Sequence, residues 1–341
     1  MKLPNSRFDF RAGSKATAAR LLFFAAVLAA PVTAAQCQSL ALVQRIELPT
    51  VQGRLDHLAF DVDEGRLFVA AVAADSVEVV DVVAGRWQRR LEGSHGPQGV
   101  VYVHKESRLF VANGQDGRVD AFTDRMRHPV KATAFLGDAD NLRFDPMERR
   151  LYVGYDQALG VVDPVTMAVV QTVALGGHPE AFELERIGRR IFVNVPSERY
   201  VAVVDRDTGT VSAVWRLAGP SQNFAMALDE SRGRLFVVTR RPAMLLVYDT
   251  GKGVEVARMP ACRDADDMFF DAQRRQIYVV CGEGVVESIR QRDSDHYEQA
   301  GKTATSPGAR TGLYVPGLST LFVAAPARAG KPAEILVYSI K

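Results

Sequence analysis

Asp56, Gln98, Asp140, Glu180, Phe224, Asp266 and Arg310 share one equivalent position along this 341-residue chain. Each stands eleven residues before a Leu or Ile that opens a Leu/Ile–aromatic–Val triplet. All but Phe224 are polar or charged, and the residue type changes from copy to copy. His57, Asn141, His178, Asn223, Asp267 and His95 extend the set as near neighbours. Two copies are almost alike, Asp138-Ala139-Asp140-Asn141 and Asp264-Ala265-Asp266-Asp267. Brought to one place, such carboxylates raise one another's pKa unless a cation or an arginine offsets them. Arg310 is one built-in offset. A divalent cation is another: Asp140, Glu180 and Asp266, with Asn oxygens and water, suit Ca²⁺ or a similar hard ion. The added histidines shift the preference toward Zn²⁺ or Mn²⁺. The same residue types also make a hydrated polar funnel without a ligand, or a site for a small molecule, a peptide or a partner protein. The sequence leaves these readings open.

The triplets show what must position these residues. They are Leu67-Phe68-Val69, Leu109-Phe110-Val111, Leu151-Tyr152-Val153, Ile191-Phe192-Val193, Leu235-Phe236-Val237, Ile277-Tyr278-Val279 and Leu321-Phe322-Val323. Their first residues are 42, 42, 40, 44, 42 and 44 apart. A period in the low forties built from short strands is the mark of a β-propeller with one four-stranded blade per repeat. In each repeat a short apolar innermost strand leads through a polar turn to the triplet. A third apolar strand follows (residues 77–80, 201–204 and 245–248 are examples), then a more polar outer strand. The first three are covered on both faces by neighbouring blades and lose strict alternation.

The last repeat ends at its third strand, residues 335–340, while residues 42–49 read as an outer strand with no blade of its own. The expected fold is therefore all-β: a seven-bladed β-propeller of four-stranded antiparallel blades over residues 41–341, its last blade completed by the N-terminal strand. That pairing closes the ring and removes an exposed edge. The connections into the innermost strands all open on one face, and repeats three and six lie nearly opposite across the channel. The expected ligand-binding surface is Asp56, His57, Gln98, Asp140, Asn141, His178, Glu180, Asn223, Asp266, Asp267 and Arg310. Asn113, Tyr155, Asp156, Asn194, Arg240, Arg241 and Arg328 fall in loops on the same face. Arg240, Arg241, Arg310 and Arg328 form either a cationic wall for a carboxylate or phosphate or separate solvated arginines.

Positions alike in most repeats serve the blade. Asp81, Asp163, Asp205 and Asp249 end third strands and suit Asx-type turns. Arg66, Arg108, Arg150, Arg190 and Arg234 precede the triplets and suit exposed turns. Cys262 and Cys281 both fall at the ligand face of the sixth repeat. They either pair as a disulfide in an oxidising compartment or remain buried thiols.

The N-terminus reads as an export signal over residues 1–35: a basic segment, an apolar run LLFFAAVL at 21–28, then small residues for cleavage. The run is too short to span a bilayer. The expected location is the periplasm or the exterior. The whole chain has 42 basic and 40 acidic residues, +2. Residues 1–35 hold five basic and one acidic, which leaves 37 against 39, or −2, for the mature chain. No basic stripe with interleaved aromatics marks a nucleic-acid surface. G-x-S-x-G, H-E-x-x-H, EF-hand and C-x-x-C-H motifs are absent from the sequence. A monomer with no membrane span after cleavage is the expectation.

The alternation of x-Leu-Phe-Val-x with Val-x-Val-Val-Asp resembles the YVTN-repeat β-propellers of exported bacterial proteins, from about residue 41 onward. The resemblance implies the fold and a role as a binding module. Among more distant relatives of that family are calcium-dependent lactonases. That likeness implies the competing reading, a metal-dependent hydrolase in which the same carboxylates hold a cation and one acts as base. A third reading is a structural envelope protein whose outer strands make the contacts.

Overall fold

A computed structural model describes residues 40–123, 127–135, 137–328 and 330–341. The export signal expected over 1–35, and Cys37, lie outside the described residues. Seven antiparallel four-stranded sheets follow one another along the chain. The innermost strands of blades 1 to 7 are Leu55–Asp61, Pro97–Val103, Ala139–Asp145, Phe182–Leu184, Ser221–Asp229, Ala265–Asp271 and Thr311–Val315. Each packs against the next, and blade 7 packs back on blade 1. The ring closes as expected: Leu40–Leu48 pairs antiparallel with Ala333–Ile340 as the outer strand of blade 7.

The triplet explains how blades stack. Successive side chains in a strand point to opposite faces, so each triplet feeds two interfaces. Leu67 and Val69 join the core between blades 7 and 1, whereas Phe68 joins the core between blades 1 and 2. The same division holds all the way round. Leu235 and Val237 face blade 4 and Phe236 faces blade 6; Leu321 and Val323 face blade 6 and Phe322 faces blade 1. The hydrophobic core is therefore seven inter-blade layers, one per junction.

The turns away from the ligand face are polar and ordered. Asp81, Asp163, Asp205 and Asp249 each accept backbone N–H groups two or three residues ahead, the Asx-type chemistry expected of them. Arg66 differs from expectation: it is buried, not solvated, with Nη2 2.6 Å from Asp61 Oδ2. Arg206 and Asp145, both buried, pair at 2.6 Å between blades 4 and 3. The Arg206–Asp145 pair staples blade 4 to blade 3. Among the described residues no helix is long and apolar enough to cross a membrane.

Candidate functional site

The variable position lies in a β-bulge in most blades. Pairing between the innermost and second strands slips between Leu55 and Leu58, Pro97 and Val100, Ala139 and Leu142, Asn223 and Ala225, and Ala265 and Asp267. Asp56 with His57, Gln98 with Gly99, Asp140 with Asn141, Phe224 alone and Asp266 alone are the residues in these slips. The sequence reading placed them in connecting loops; the structure places them inside the first turn of strand, where a bulge releases a side chain from the in–out alternation and re-aims it. Glu180 and Arg310 alone precede their innermost strands. Gly99 helps seat Asp140: a Cβ there would lie 1.9 Å from the Asp140 carbonyl oxygen, so only glycine lets the two backbones approach.

Three charge groups meet at the mouth. In blade 1, Asp56 is buried and pairs with Arg54 Nη2 at 2.5 Å, while His57 Nδ1 lies 3.3 Å from Asp267 Oδ1 of blade 6. The other Asp267 oxygen accepts the Gly312 N–H of blade 7 at 2.8 Å, so this carboxylate ties three blades. On the second side, Asp266 sits between two guanidinium groups, Arg240 at 2.8 Å and Arg310 at 3.0 Å. Asp264 lies 3.5 Å from each of the same two arginines. Phe224, the apolar member of the series, lies 3.6 Å beneath the Arg240 guanidinium as a cation–π platform. On the third side, Asp140, His178 and Glu180 each offer a ligand atom within 4.8 Å of the others.

These groups sense one another. Burial pushes the Asp56 carboxyl up to about 7 against the pull of His57 and Arg54. Burial, then the Asp140 and Asp266 carboxylates, push Glu180 up to about 8. Burial opposes the charged form of His57, but the Asp267 carboxylate beside it wins and raises it to about 10. His178 is raised to about 9 in the same way, Asp140 outweighing burial. The mouth that reads as acidic in sequence is close to charge-balanced in space.

Not every expected residue reaches it. Gln98 binds Asp138 at 3.0 Å toward the rim. Asn141 faces the channel below the mouth. Asn223 is fully buried, its amide donating to Asn194 Oδ1 and to the Tyr200 carbonyl at 2.9 Å, and it joins blades 4 and 5. The expected cation set of Asp140, Glu180 and Asp266 is not the one assembled: both Asp266 oxygens are taken by arginines, and His178 stands in its place. Cys262 and Cys281 are bonded, with a Cα separation of 6.0 Å. The sequence reading missed Arg54, and it missed Arg143 and Glu183 in the channel. That channel holds a cavity of about 300 Å³, to which His57, Asp267 and Tyr314 also contribute. Burial raises the Glu183 carboxyl, with Arg143 and Arg186 opposing.

No protein-family model matches the chain, and no curated protein matches it in sequence. Solved structures do match. A chain of the hydrazine synthase of Kuenenia stuttgartiensis superposes with a TM-score of 0.71 at 16% identity, over 81% of this chain and 94% of that one. A chain of a mitotic checkpoint complex superposes with a TM-score of 0.75 at 14% identity, over 94% and 99%. At these identities the likeness is one of fold.

Proposed function

We propose that this chain is a binding module of the exported, YVTN-like kind, and that its mouth recognises an anionic group, a carboxylate or phosphate, on a small molecule or peptide. One observation carries the reading. Arg54, Arg310 and Arg328 line a single hollow of about 330 Å³ at the junction of blades 7 and 1, walled by Leu55, Pro307 and Pro326. Arg54 and Arg310 are held by Asp56 and Asp266. Arg328 is exposed and has no ion pair among the described residues. Two guanidinium groups fixed in place and one unneutralised make a preorganised anion site. The Cys262–Cys281 disulfide supports an oxidising, extracytoplasmic location. A lactonase-like reaction using Asp140, Glu180 and Asp266 is disfavoured, since Asp266 is already neutralised.

The test is a thermal-shift and calorimetric screen of di- and tricarboxylates, phosphate esters and acidic peptides against the wild type and Arg328→Glu. The expected result is a ligand whose affinity falls at least about tenfold in the variant, as loss of one charged hydrogen bond implies. Equal binding by both proteins would move the site away from this hollow.

A further inference from the structure

We infer that the junction of blades 3 and 4 is a divalent transition-metal site, with Asp140, His178 and Glu180 as its protein ligands and Zn²⁺ as the best-suited ion. The inference does not rest on anion recognition, which uses arginines at the junction of blades 7 and 1.

The geometry begins with His178. Its Nδ1 lies 3.0 Å from the carbonyl oxygen of Asp156. A carbonyl can only accept, so Nδ1 carries the hydrogen and the other ring nitrogen points into the cluster. Metal-binding histidines are oriented by this kind of bond from the outer ring nitrogen to a backbone carbonyl. The inner nitrogen, Nε2, faces Asp140 Oδ2 at 3.7 Å. That separation is too long for a hydrogen bond. Tetrahedral Zn²⁺, with bonds of about 2.0–2.1 Å, sets neighbouring ligand atoms roughly 3.3 Å apart, so a small side-chain adjustment lets both atoms share one ion. Glu180 completes the group within 4.8 Å.

Asp140 supplies the second observation. It is only 7% exposed, and its Oδ1 is buried with no hydrogen-bond partner among the described residues. A buried carboxylate with an oxygen left without a donor is costly; the other oxygen of the same carboxylate, Oδ2, faces His178, and a cation held there offsets the charge of the whole group. The bulge and the close approach of Gly99 fix the backbone from which the Asp140 side chain projects. The ligand set decides the metal. Ca²⁺ takes six to eight oxygens; two carboxylates and an imidazole are too few and include nitrogen. Zn²⁺ takes three protein ligands of these types and keeps a fourth position open.

The test uses the intact protein, freed of metal with a chelator and titrated calorimetrically with ZnCl₂, MnCl₂ and CaCl₂ in turn, with no organic ligand present. The expected result is one Zn²⁺ per chain, with Ca²⁺ at least about tenfold weaker. His178→Gln, Glu180→Gln and Asp140→Asn should each weaken Zn²⁺ by at least about tenfold. Three separate ligand variants keep the test open if one does not fold. Arg328→Glu, at the junction of blades 7 and 1, should bind Zn²⁺ as the wild type does, which separates this site from the anion site. Co²⁺-loaded protein should show a d–d absorption band that His178→Gln abolishes. Absence of Zn²⁺ binding, Zn²⁺ binding unchanged in the ligand variants, or a preference for Ca²⁺ would each overturn the inference.

Discussion

Alkaline pH should weaken the ring at the contact between His57 of blade 1 and Asp267 of blade 6. The folded state holds the His57 proton to about pH 10, against an ordinary value of 6.5. A group whose folded pKa is raised contributes stability that is complete below its unfolded pKa and is lost as pH rises through its folded pKa. The window is therefore pH 6.5 to about 10. At about 1.4 kcal/mol per pH unit the contribution is roughly 3–5 kcal/mol. Coulomb's law gives a consistent figure: a charge pair at 3.3 Å contributes about 5 kcal/mol at an effective dielectric constant of 20, from which burial of the imidazolium must be subtracted. For a chain of this size that corresponds to a fall in Tm of about 5–10 °C. Asp56 and Glu180, raised to about 7 and about 8, add a slope of the same sign below pH 8. Their folded forms keep protons that the unfolded chain has lost. His178, raised to about 9, adds to it in the same direction. The assay is denaturant unfolding at intervals from pH 6 to 10 for the wild type and His57→Asn. The variant should be less stable at pH 6.5 and should lose much less between pH 8 and 10. Parallel curves for the two proteins over that upper interval would refute the reasoning.

Two further outcomes test the scaffold. Breaking the Cys262–Cys281 bond, whose partners are 19 residues apart, by Cys262→Ser/Cys281→Ser should lower unfolding free energy by about 3 kcal/mol; denaturant midpoints measure it, and an unchanged midpoint argues that the bond is dispensable to blade 6. Deleting Leu40–Leu48 should do far more than its length suggests. It strips Ile46 and Leu48 from the blade 7–1 core, about 1.5–3 kcal/mol for each side chain, and bares the edge of Ala333–Ile340 to aggregation. Calorimetry should show no cooperative melt, and a normal transition would mean that the ring closes without this strand.

Much of the fold is legible because the triplet obeys a local rule that the ring repeats. A strand covered on both faces needs an apolar residue at each position, and Phe236 between Leu235 and Val237 meets that need for two junctions at once. The closing strand is legible from a surplus: residues 42–49 have no blade unless they join the last one. The arginines before the triplets are less so. Arg66 looks like a surface residue until Asp61 and Tyr102 are placed around it, which requires the neighbouring blade.

The mouth is legible in composition but not in pairing, and the reason is the bulge. One extra residue in an antiparallel strand leaves no mark in a pattern of residue types, yet it decides whether Asp140 faces a blade or the opening. Comparison of the repeats carries more than the position used to find Asp140. Three residues further along stand Ala59, Val101, Arg143, Glu183, Ala227, Phe269 and Leu313: apolar in five blades and charged in blades 3 and 4. All but Ala227 line the channel cavity. A charge where the other copies are apolar therefore marks a channel residue directly. Two residues before the variable position, the same comparison aligns Arg54 of blade 1 with His178 of blade 4, and these lie beside the Asp56 and Asp140 carboxylates. A ring of acids alone could not be buried together; Arg54 offsets Asp56 from within its own blade, and Asp266 takes Arg240 and Arg310 from the blades on either side. Blades 3 and 6 place Asp138 and Asp264 there instead, and the balance at Asp140 falls to His178 of blade 4. That substitution leaves two carboxylates and an imidazole facing one another at the only junction of the mouth, among the described residues, where three metal-ligating side chains meet within 4.8 Å.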